Sequence, residues 1–501
     1  MGSKISRRNV LKTAALGAAA AGVPQTLRGL ESPSRDNTVT EFIQPPDDAR
    51  PWVYWYFMDG NLTREGMEAD LAAMKQAGLG GAIYLEVGIG IEPGPVEFMS
   101  EPWQQLLGHA FEEADRLGLQ MALAAGPGWC GAGGPWVKPD QSMQHLVFSK
   151  TVAQGPADFD ARLPQPQPRT PFFGVGTLSA ELLKAWKEFY RDEFVLAFRT
   201  PAAGAPIPDV DEKALYTRGS YSSQIPGPYT TRPWVRPFLP SLDRYAAVAS
   251  EDCIASDQVV NLTGKLSPDG RLAWTVPPGS WTIMRFGRTL TGQTTRPSPK
   301  PGLGLETDKF AAAAMDAHFD AYIAPLLKKS GAPRRPGRGL VALHFDSWEM
   351  SSQNWSPGFQ EEFKHRRGYD PVAMLPAFAG MMVDSREASE RFLWDIRQTA
   401  QELVCANQAL RLREHGKRYG LLLELEPYDL NPCGDLELGS TADIPMGEFW
   451  SKTPGAPPTD FSLAEAASVG HTQGRKVIGA ESFTAAMEER GHQHPASMKA
   501  Q

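Results

Sequence analysis

The sequence predicts an α/β fold: a (β/α)8-type barrel that lacks its last strand and is interrupted by an inserted antiparallel β module. Three observations support this. Short apolar runs alternate with helical segments in two blocks, residues 48–148 and 302–501. Residues 149–301 are instead rich in proline and turn residues, with short strand-like stretches. Several apolar runs end in a carboxylate, where a β/α barrel holds its catalytic groups.

Length and charge limit the classes of protein to consider. At 501 residues the chain exceeds what one compact core usually supports, so we expect two or more structural units. Its 50 basic and 58 acidic residues give a net charge of -8 without a basic stripe, which argues against nucleic acid as a partner. Nothing after the N-terminus is long and apolar enough to span a bilayer. Four scattered cysteines lack metal or redox spacing, so we expect no dependence on disulfides.

Residues 1–30 form a segment of their own. Arg7 and Arg8 precede an Ala/Gly-rich, weakly apolar stretch at residues 13–22, followed by small residues suited to cleavage. This order and spacing are typical of a bacterial twin-arginine export signal. We therefore predict export to the periplasm or beyond, with the mature chain starting between Ala21 and Leu30.

The two barrel blocks contain the predicted strands. In the first block, strands are expected at residues 52–58, 80–87 and 119–125. A helix capped by Thr63 runs to residue 76, and another ends at Gly118. The second block predicts long helices at 309–329 and 385–419, and strands at 339–345, 421–426, 442–450 and 476–481. The count is roughly seven strands where the closed (β/α)8 barrel needs eight.

The insertion predicts an antiparallel hairpin. Residues 267–271 carry a Ser-Pro-Asp-Gly-Arg turn between the strand-like runs 259–262 and 272–276. We therefore expect these two runs to pair with each other.

The first acidic strand end carries two carboxylates. Because strand side chains alternate, we expect Ser347 and Glu349 to share one face and Asp346 and Trp348 to share the other. Asp346 is either a ligand-facing group or an anchor for the loop. Glu349, beside an aromatic wall, is expected to have a raised pKa, as a general acid at neutral pH requires.

Further acidic strand ends follow. Glu424 and Glu426 are two residues apart and face the same way, so a ligand, a cation or an arginine must meet them; an internal salt bridge is the alternative. Glu448 and Glu481 end two more strands. Glu481 is the stronger candidate for a base, because Ser482 and Thr484 can hydrogen-bond it and keep it ionised.

Aromatic residues near the predicted strand ends suggest a carbohydrate ligand, since flat rings stack on sugar faces, although singly each is more often part of a core. Six tryptophans meet this description: Trp55, Trp129, Trp136, Trp348, Trp355 and Trp450. The predicted substrate-binding set consists of Trp55, Trp129, Asp346, Trp348, Asn354, Trp355, Glu424, Glu426 and Tyr428.

Three long blocks of the sequence resemble glycoside hydrolase family 106, the α-L-rhamnosidases. They are residues 52–81 with Asp59-Gly60-Asn61, residues 344–371 beginning His344-Phe345-Asp346-Ser347-Trp348-Glu349, and residues 426–450 beginning Glu426-Pro427-Tyr428. The resemblance covers nearly the whole mature chain.

The resemblance implies an exo-acting enzyme that hydrolyses terminal α-L-rhamnosyl linkages with inversion and uses a calcium ion that engages the sugar hydroxyls. By motif position it implies Glu349 as general acid, Glu481 as general base and Glu448 as a calcium ligand, with Glu426 and Asp346 as further candidates near the ion. An inverting mechanism would place the acid and base carboxyl groups about 6.5 to 9.5 Å apart.

Members of that family are usually longer and continue through an eighth strand into β-sandwich domains. The resemblance therefore implies a truncated or split member whose activity on its own is open. Two other functions remain: a different, retaining barrel glycosidase of the β-galactosidase or glucuronidase kind, and a carbohydrate-binding fragment with impaired catalysis.

Overall fold

A computed structural model describes residues 40, 43, 49–204, 206–218, 248–330, 336–427, 433–451, 460–485, 493–494 and 498. The chain divides into two compact units, Met1–Arg50 and Pro51–Gln501. The strands and helices from Trp52 onward lie in the second unit. Among the described residues, no helix is both long enough and apolar enough to cross a membrane.

The first barrel block alternates strands and helices as predicted. Thr63 caps the first helix by accepting a hydrogen bond from the Gly66 amide, and Gly118 ends the second in a left-handed conformation with φ 70°. The elements are β1 Trp52–Met58, α1 Arg64–Gln76, β2 Gly81–Val87, α2 Glu101–Leu117 and β3 Gln120–Ala124.

The region of the insertion contains β4 Gly133–Gly134, β5 Gln144–Arg162, α3 Ala180–Glu188, β6 Arg191–Arg199, α4 Val210–Lys213, β7 Val260–Asn261, β8 Arg271–Leu290 and β9 Leu305–Glu306. Four of these strands form an antiparallel sheet in the order β5-β8-β6-β7, and β4 pairs with β9.

The predicted hairpin in this insertion is wrong in its pairing. The turn forms, since the Gly270 amide donates to the Ser267 carbonyl at 2.8 Å. However, β7 pairs with β6, whereas β8 pairs with β5 and β6. The long strands β5 and β8 align over nearly their whole length, and this pairing leaves β7 only the outer edge of β6.

The second block completes the alternation. Both predicted long helices are present, and each contains one π-helical turn, at Phe319–Ile323 and at Cys405–Ala409. The elements are α5 Ala312–His318, α6 Ala324–Ser330, β10 Gly339–Phe345, α7 Phe359–Arg367, α8 Arg386–Val404, α9 Leu410–Lys417, β11 Leu422–Leu425, α10 Asp435–Ser440, β12 Ile444–Trp450, α11 Asp460–Gln473 and β13 Gly479–Thr484. A 3-10 segment, Val372–Ala379, lies between α7 and α8.

One parallel sheet organises these two blocks. Among the described residues it has seven strands in the order β1-β2-β3-β10-β11-β12-β13, all paired in parallel. β1 and β13 are the opposite edges of this sheet, yet Tyr54 on β1 lies close enough to Glu481 on β13 to lower the pKa of that carboxyl group. The sheet is therefore curled. This is a barrel-like arrangement of the predicted class.

Strand alternation divides the core in two. The larger apolar cluster lies between the outer face of the sheet and the helices and includes Trp55, Tyr84 and Trp103. A small cluster fills the concave side, with Tyr54 and Trp129 packed against it: Ile83, Leu85, Ala122, Ala124, Ala342 and Met446. The concave side is therefore apolar along the first strands, which leaves the later strand ends for polar groups.

Glu86 is a buried carboxyl group in the helix layer, not on the concave side. It is 2% exposed, and one of its oxygens accepts hydrogen bonds from the Trp103 indole at 2.5 Å and the Tyr84 hydroxyl at 2.8 Å. Burial raises the pKa of Glu86 to about 7, although both hydrogen bonds oppose the shift.

This pKa predicts how stability depends on pH. The folded pKa lies above the unfolded value of about 4.3, so between the two values the folded state holds a proton that the unfolded state has released. Stability therefore falls as pH rises from about 4.5 to about 7, by up to about 3 kcal/mol from this group. Glu86→Gln should remove that part of the slope in urea unfolding. Equal pH slopes for the two proteins would contradict the assignment.

Candidate active site

Carboxylates from four neighbouring strands of the second block gather at one end of the parallel sheet. Asp346 follows β10, Glu426 follows β11, and Glu448 lies near the end of β12. Glu481 lies in the middle of β13, so the prediction that it ends its strand is wrong. Because parallel strands end at the same edge of a sheet, these side chains meet there. Glu448 and Glu481 are direct partners in the strand register.

Glu426 lies at the centre of this group. It is 1% exposed, and its Oε1 has no hydrogen-bond partner among the described residues. Burial raises its pKa well above the usual value, and the charges of Glu481, Asp346, Glu448 and Glu349 raise it further. Four carboxylates are thus close enough to repel its charge, so this position favours a proton or a cation.

His344 supplies a positive charge at the base of the group. Its Nε2 lies 3.0 Å from Asp346 Oδ2 and its Nδ1 lies 3.3 Å from Glu424 Oε2. Burial alone would lower the pKa of His344, but the hydrogen bonds and charges of the two carboxylates outweigh it and raise the pKa to about 10. The imidazole is therefore a cation at neutral pH.

His344 decides two questions that the sequence left open. Glu424 is in an internal ion pair, with histidine instead of arginine as the partner. Asp346 accepts hydrogen bonds from His344 and from the Ser347 amide at 2.8 Å, so it anchors the start of the loop and also faces the other carboxylates.

Glu481 is half-buried on β13. Burial raises its pKa and the charge of Asp346 adds to this shift, whereas Thr484, Tyr54 and His344 lower it. The Thr484 hydroxyl donates to Glu481 Oε1 at 2.5 Å. The expectation for Ser482 is wrong, because its hydroxyl donates instead to the Ala480 carbonyl at 3.1 Å.

Glu349 lies on the loop after β10 and is half-buried. Its pKa is raised because burial disfavours the charged form, and Asp346 adds to the shift. The guanidinium groups of Arg218 and Arg296 oppose it. The Trp129 indole N–H also lowers it by approaching the carboxyl group, although it does not complete a hydrogen bond of normal geometry.

The predicted alternation of residues 346–349 is not observed, because β10 ends at Phe345. Asp346 and Glu349 both lie among the acidic groups, since each influences the pKa of Glu426. Trp348 instead turns into the interior, where it is 4% exposed and its ring centre lies 5.9 Å from Lys309 Nζ.

Of the six tryptophans, two lie beside the carboxylates. Trp129 approaches Glu349, and the Trp450 indole donates to Glu448 Oε1. Trp55 donates to Asp70 at 2.9 Å in the helix layer, because alternation along β1 turns it outward. Trp136 stacks on Tyr322 with ring centres 5.5 Å apart.

Asn354 and Trp355 occupy structural positions. Trp355 is 1% exposed and packs 4.7 Å from the Phe359 ring. Asn354 is fully buried and uses both ends of its amide, accepting from the Leu146 amide at 2.8 Å and donating to the Ala214 carbonyl at 2.9 Å. Both side chains are buried, so the structure argues against the predicted contact of either with a sugar. Tyr428 lies outside the described residues.

Tyr54 and Tyr56 belong to the site although sequence reasoning missed them. Burial raises the pKa of each tyrosine, and Asp346, Glu426 and Glu481 raise it further. Tyr56 is 40% exposed, so a ligand can reach it. The sequence contained the information needed to find them. Tyr54 and Tyr56 alternate with Trp55 along β1, so the two tyrosines must lie on the face of the sheet opposite to Trp55.

No three histidine, cysteine or acidic side chains of the described parts of the chain lie close enough to hold a metal ion by themselves. The chemistry of the group nevertheless suits a hard cation, because carboxylate oxygens dominate it and Glu426 Oε1 is buried without a partner. Glu448 as a calcium ligand remains a prediction.

A barrel-like parallel sheet with clustered carboxylates at its strand ends is the architecture of many glycoside hydrolases. The chain belongs to glycoside hydrolase family 106: the sequence model of that family, described as α-L-rhamnosidase, matches residues 43–501. Residues 4–24 match the twin-arginine translocation signal, so the chain carries the predicted export signal.

Two relatives are informative. A protein of Formosa agariphila named "Putative beta-glucuronidase" is 35% identical over 458 residues, which is 91% of this chain and 36% of that protein. The solved structure of the rhamnosidase from Novosphingobium sp. PP1Y matches with a TM-score of 0.75 and 26% identity, over 92% of this chain and 54% of that one. The chain thus spans about half or less of the length of these relatives.

The ion pairs of His344 predict a large effect on stability. His344→Leu leaves Glu424 and Asp346 buried without their cation, so we expect a loss of about 3–5 kcal/mol in urea unfolding at pH 7. His365→Leu, a control on the exposed side of α7, should change stability by less than about 0.5 kcal/mol.

The double variant His344→Leu with Glu424→Leu checks the cause. Because it also removes a stranded buried charge, it should be more stable than His344→Leu alone. A double variant as unstable as the single one, or less stable, would contradict the ion-pair explanation.

Proposed function

We propose that the chain hydrolyses terminal α-L-rhamnosyl linkages by an inverting mechanism, with Glu349 as general acid and Glu481 as general base. The observation that supports this most directly is that Glu349 and Glu481 are both half-buried and both have raised pKa values, although they come from different elements. Both also lie close enough to Glu426 to raise its pKa. Membership of family 106 gives the sugar class.

Glu349 has the environment of a general acid. Its raised pKa favours the protonated form, which can donate a proton to the glycosidic oxygen as the bond to the leaving alcohol breaks. The carboxylate that remains lies near Arg218 and Arg296, whose positive charges favour it. The Trp129 indole, with no full hydrogen bond of its own, provides a polar edge beside the same oxygen atoms.

Glu481 is the proposed general base. Burial and the charge of Asp346 raise its pKa, whereas Thr484, the nearby Tyr54 hydroxyl and His344 favour the charged form that accepts a proton. The carboxylate accepts a proton from a water molecule while the water oxygen bonds to the anomeric carbon on the face opposite the leaving group. One water is consumed, the configuration inverts, and the proton gained by Glu481 balances the one lost by Glu349.

Calcium is part of this proposal. Glu448, with Glu426 and Asp346 as neighbours, would hold the ion, and bound calcium would offset the clustered negative charge and orient sugar hydroxyls. Because the described carboxylates do not surround a metal by themselves, oxygens of the sugar or of water would complete its coordination.

A second candidate is hydrolysis of a uronic acid glycoside. It is favoured by the two guanidinium groups near Glu349, which could pair with a sugar carboxylate, and by the name of the Formosa agariphila relative. Parallel assays with nitrophenyl α-L-rhamnoside and nitrophenyl β-glucuronide separate the two candidates, because the leaving group is the same and only the sugar differs.

The acid and base assignments predict specific losses. Glu349→Gln and Glu481→Gln should each lower kcat/KM on alkyl rhamnosides by about 10²–10⁴-fold, since each removes one proton-transfer group. Glu361→Gln, on the exposed surface of α7, should leave kcat/KM unchanged. NMR of the first product should detect the β anomer. A variant that keeps most of its activity, or an α first product, would overturn the corresponding role.

Calcium dependence predicts a change in stability as well as in activity. After chelation and dialysis the protein should lose activity and unfold at a lower temperature, and added calcium should restore both. At a concentration 100 times the dissociation constant, binding adds about 2.7 kcal/mol of stability. Glu448→Gln should weaken this response. If calcium changed neither activity nor unfolding temperature, the metal proposal would be wrong.

A further inference from the structure

A small cavity lies behind the loop that carries Glu349. It has about 10 Å3 of room for the centre of a water-sized sphere, which is about what one water molecule needs. The side chains of Glu306, Lys309, Trp348 and Gln408 line it. None of these four side chains is more than 4% exposed, so they are shielded from bulk solvent.

Three of these side chains bring buried polar atoms without partners. Glu306 Oε1, Trp348 Nε1 and both amide atoms of Gln408 have no hydrogen-bond partner among the described residues. Leaving such atoms unpaired costs about 1–3 kcal/mol each, so several around one small cavity indicate a polar occupant.

The charges around the cavity balance. Lys309 Nζ donates to Glu306 Oε2 at 2.6 Å and to the Ala132 carbonyl at 3.0 Å. The ammonium group therefore neutralises the Glu306 carboxylate, and the cavity needs a neutral occupant. A water molecule can accept from the Trp348 indole and donate to the free oxygens of Glu306 and Gln408.

The cavity is next to the residues that flank the proposed general acid in the chain. Trp129 and Glu349 approach each other, and the residues next to them in the chain, Cys130 and Trp348, line the cavity. A shift of the Trp348 indole would therefore move the adjoining backbone of Glu349. Gln408 reaches the cavity from the π-helical turn Cys405–Ala409, a feature often found at functional positions.

We propose that this cavity binds one water molecule, and that the water, Trp348 and Gln408 together position the loop of the general acid. Trp348 and Gln408 are positioning residues, because neither touches the reacting atoms. The role given to the loop rests on the proposed function of Glu349, whereas the water site does not.

The test uses Gln408→Leu and Trp348→Phe, which remove hydrogen-bonding atoms while keeping much of the apolar bulk. A misplaced acid impairs cleavage of a poor leaving group far more than that of a good one, because a dinitrophenolate needs little protonation. The ratio of kcat/KM on dinitrophenyl α-L-rhamnoside to that on methyl α-L-rhamnoside should therefore rise by about tenfold or more in both variants.

Glu349→Gln gives the upper limit of this ratio. The matched control is Ile396→Val, a buried change in α8 that should lower stability by about 1 kcal/mol and leave the ratio unchanged. A loss of equal size on both substrates, or no loss on either, would overturn the positioning role, since a merely structural effect does not depend on the leaving group.

A high-resolution crystal structure of the full chain tests the water site without reference to activity. A solvent peak bonded to Trp348 Nε1 is expected, and a dry cavity would overturn the proposal. If the wild-type chain cleaved neither rhamnoside, the proposed function would fail while the solvent peak still decided the water site. If the wild type is active and the ratio does not move, the positioning role fails alone.

Discussion

The accumulation of negative charge at one end of the parallel sheet is the constraint on which the site depends. Five carboxylates from the second block meet there, and burial and mutual repulsion disfavour ionisation at Glu426. His344 offsets part of this charge from beneath. Apolar side chains of the first strands lie on the concave side, and such a low-dielectric neighbourhood strengthens the interactions between the charges. The site is therefore built to accept something electropositive, be it a proton, a cation or a sugar carbon that gains positive charge.

Much of the fold could be predicted from the sequence because the signals were local. Apolar runs, Thr63 at a helix start and Gly118 at a helix end fix the strand and helix positions whatever their partners. The same logic placed the carboxylates at strand ends, since parallel strands share a polarity. The pairing of Val260–Asn261 with β6 was not predictable in this way. It depends on β8 pairing with β5 and β6, which are far from it in the sequence.

The candidate site was predictable in residue type more than in direction. Alternation is a reliable guide only while the backbone stays extended. It would have separated Tyr54 from Trp55 correctly, but it fails for Trp348 because the strand has already ended. His344 was missed because nothing near it in an apolar strand shows which groups it will contact. Its partners, Asp346 and Glu424, follow or belong to different strands and come together with it only in the folded chain.

Asn354 joins the segment after the acid to the inserted module. Its amide binds the backbone at Leu146 on β5 and at Ala214, and the His145 imidazole meets the Ser352 carbonyl at 3.1 Å. These hydrogen bonds hold the insertion to the segment a few residues beyond Glu349. A substitution in the insertion that moves the backbone at Leu146 or Ala214 would therefore change how tightly the segment beyond Glu349 is held.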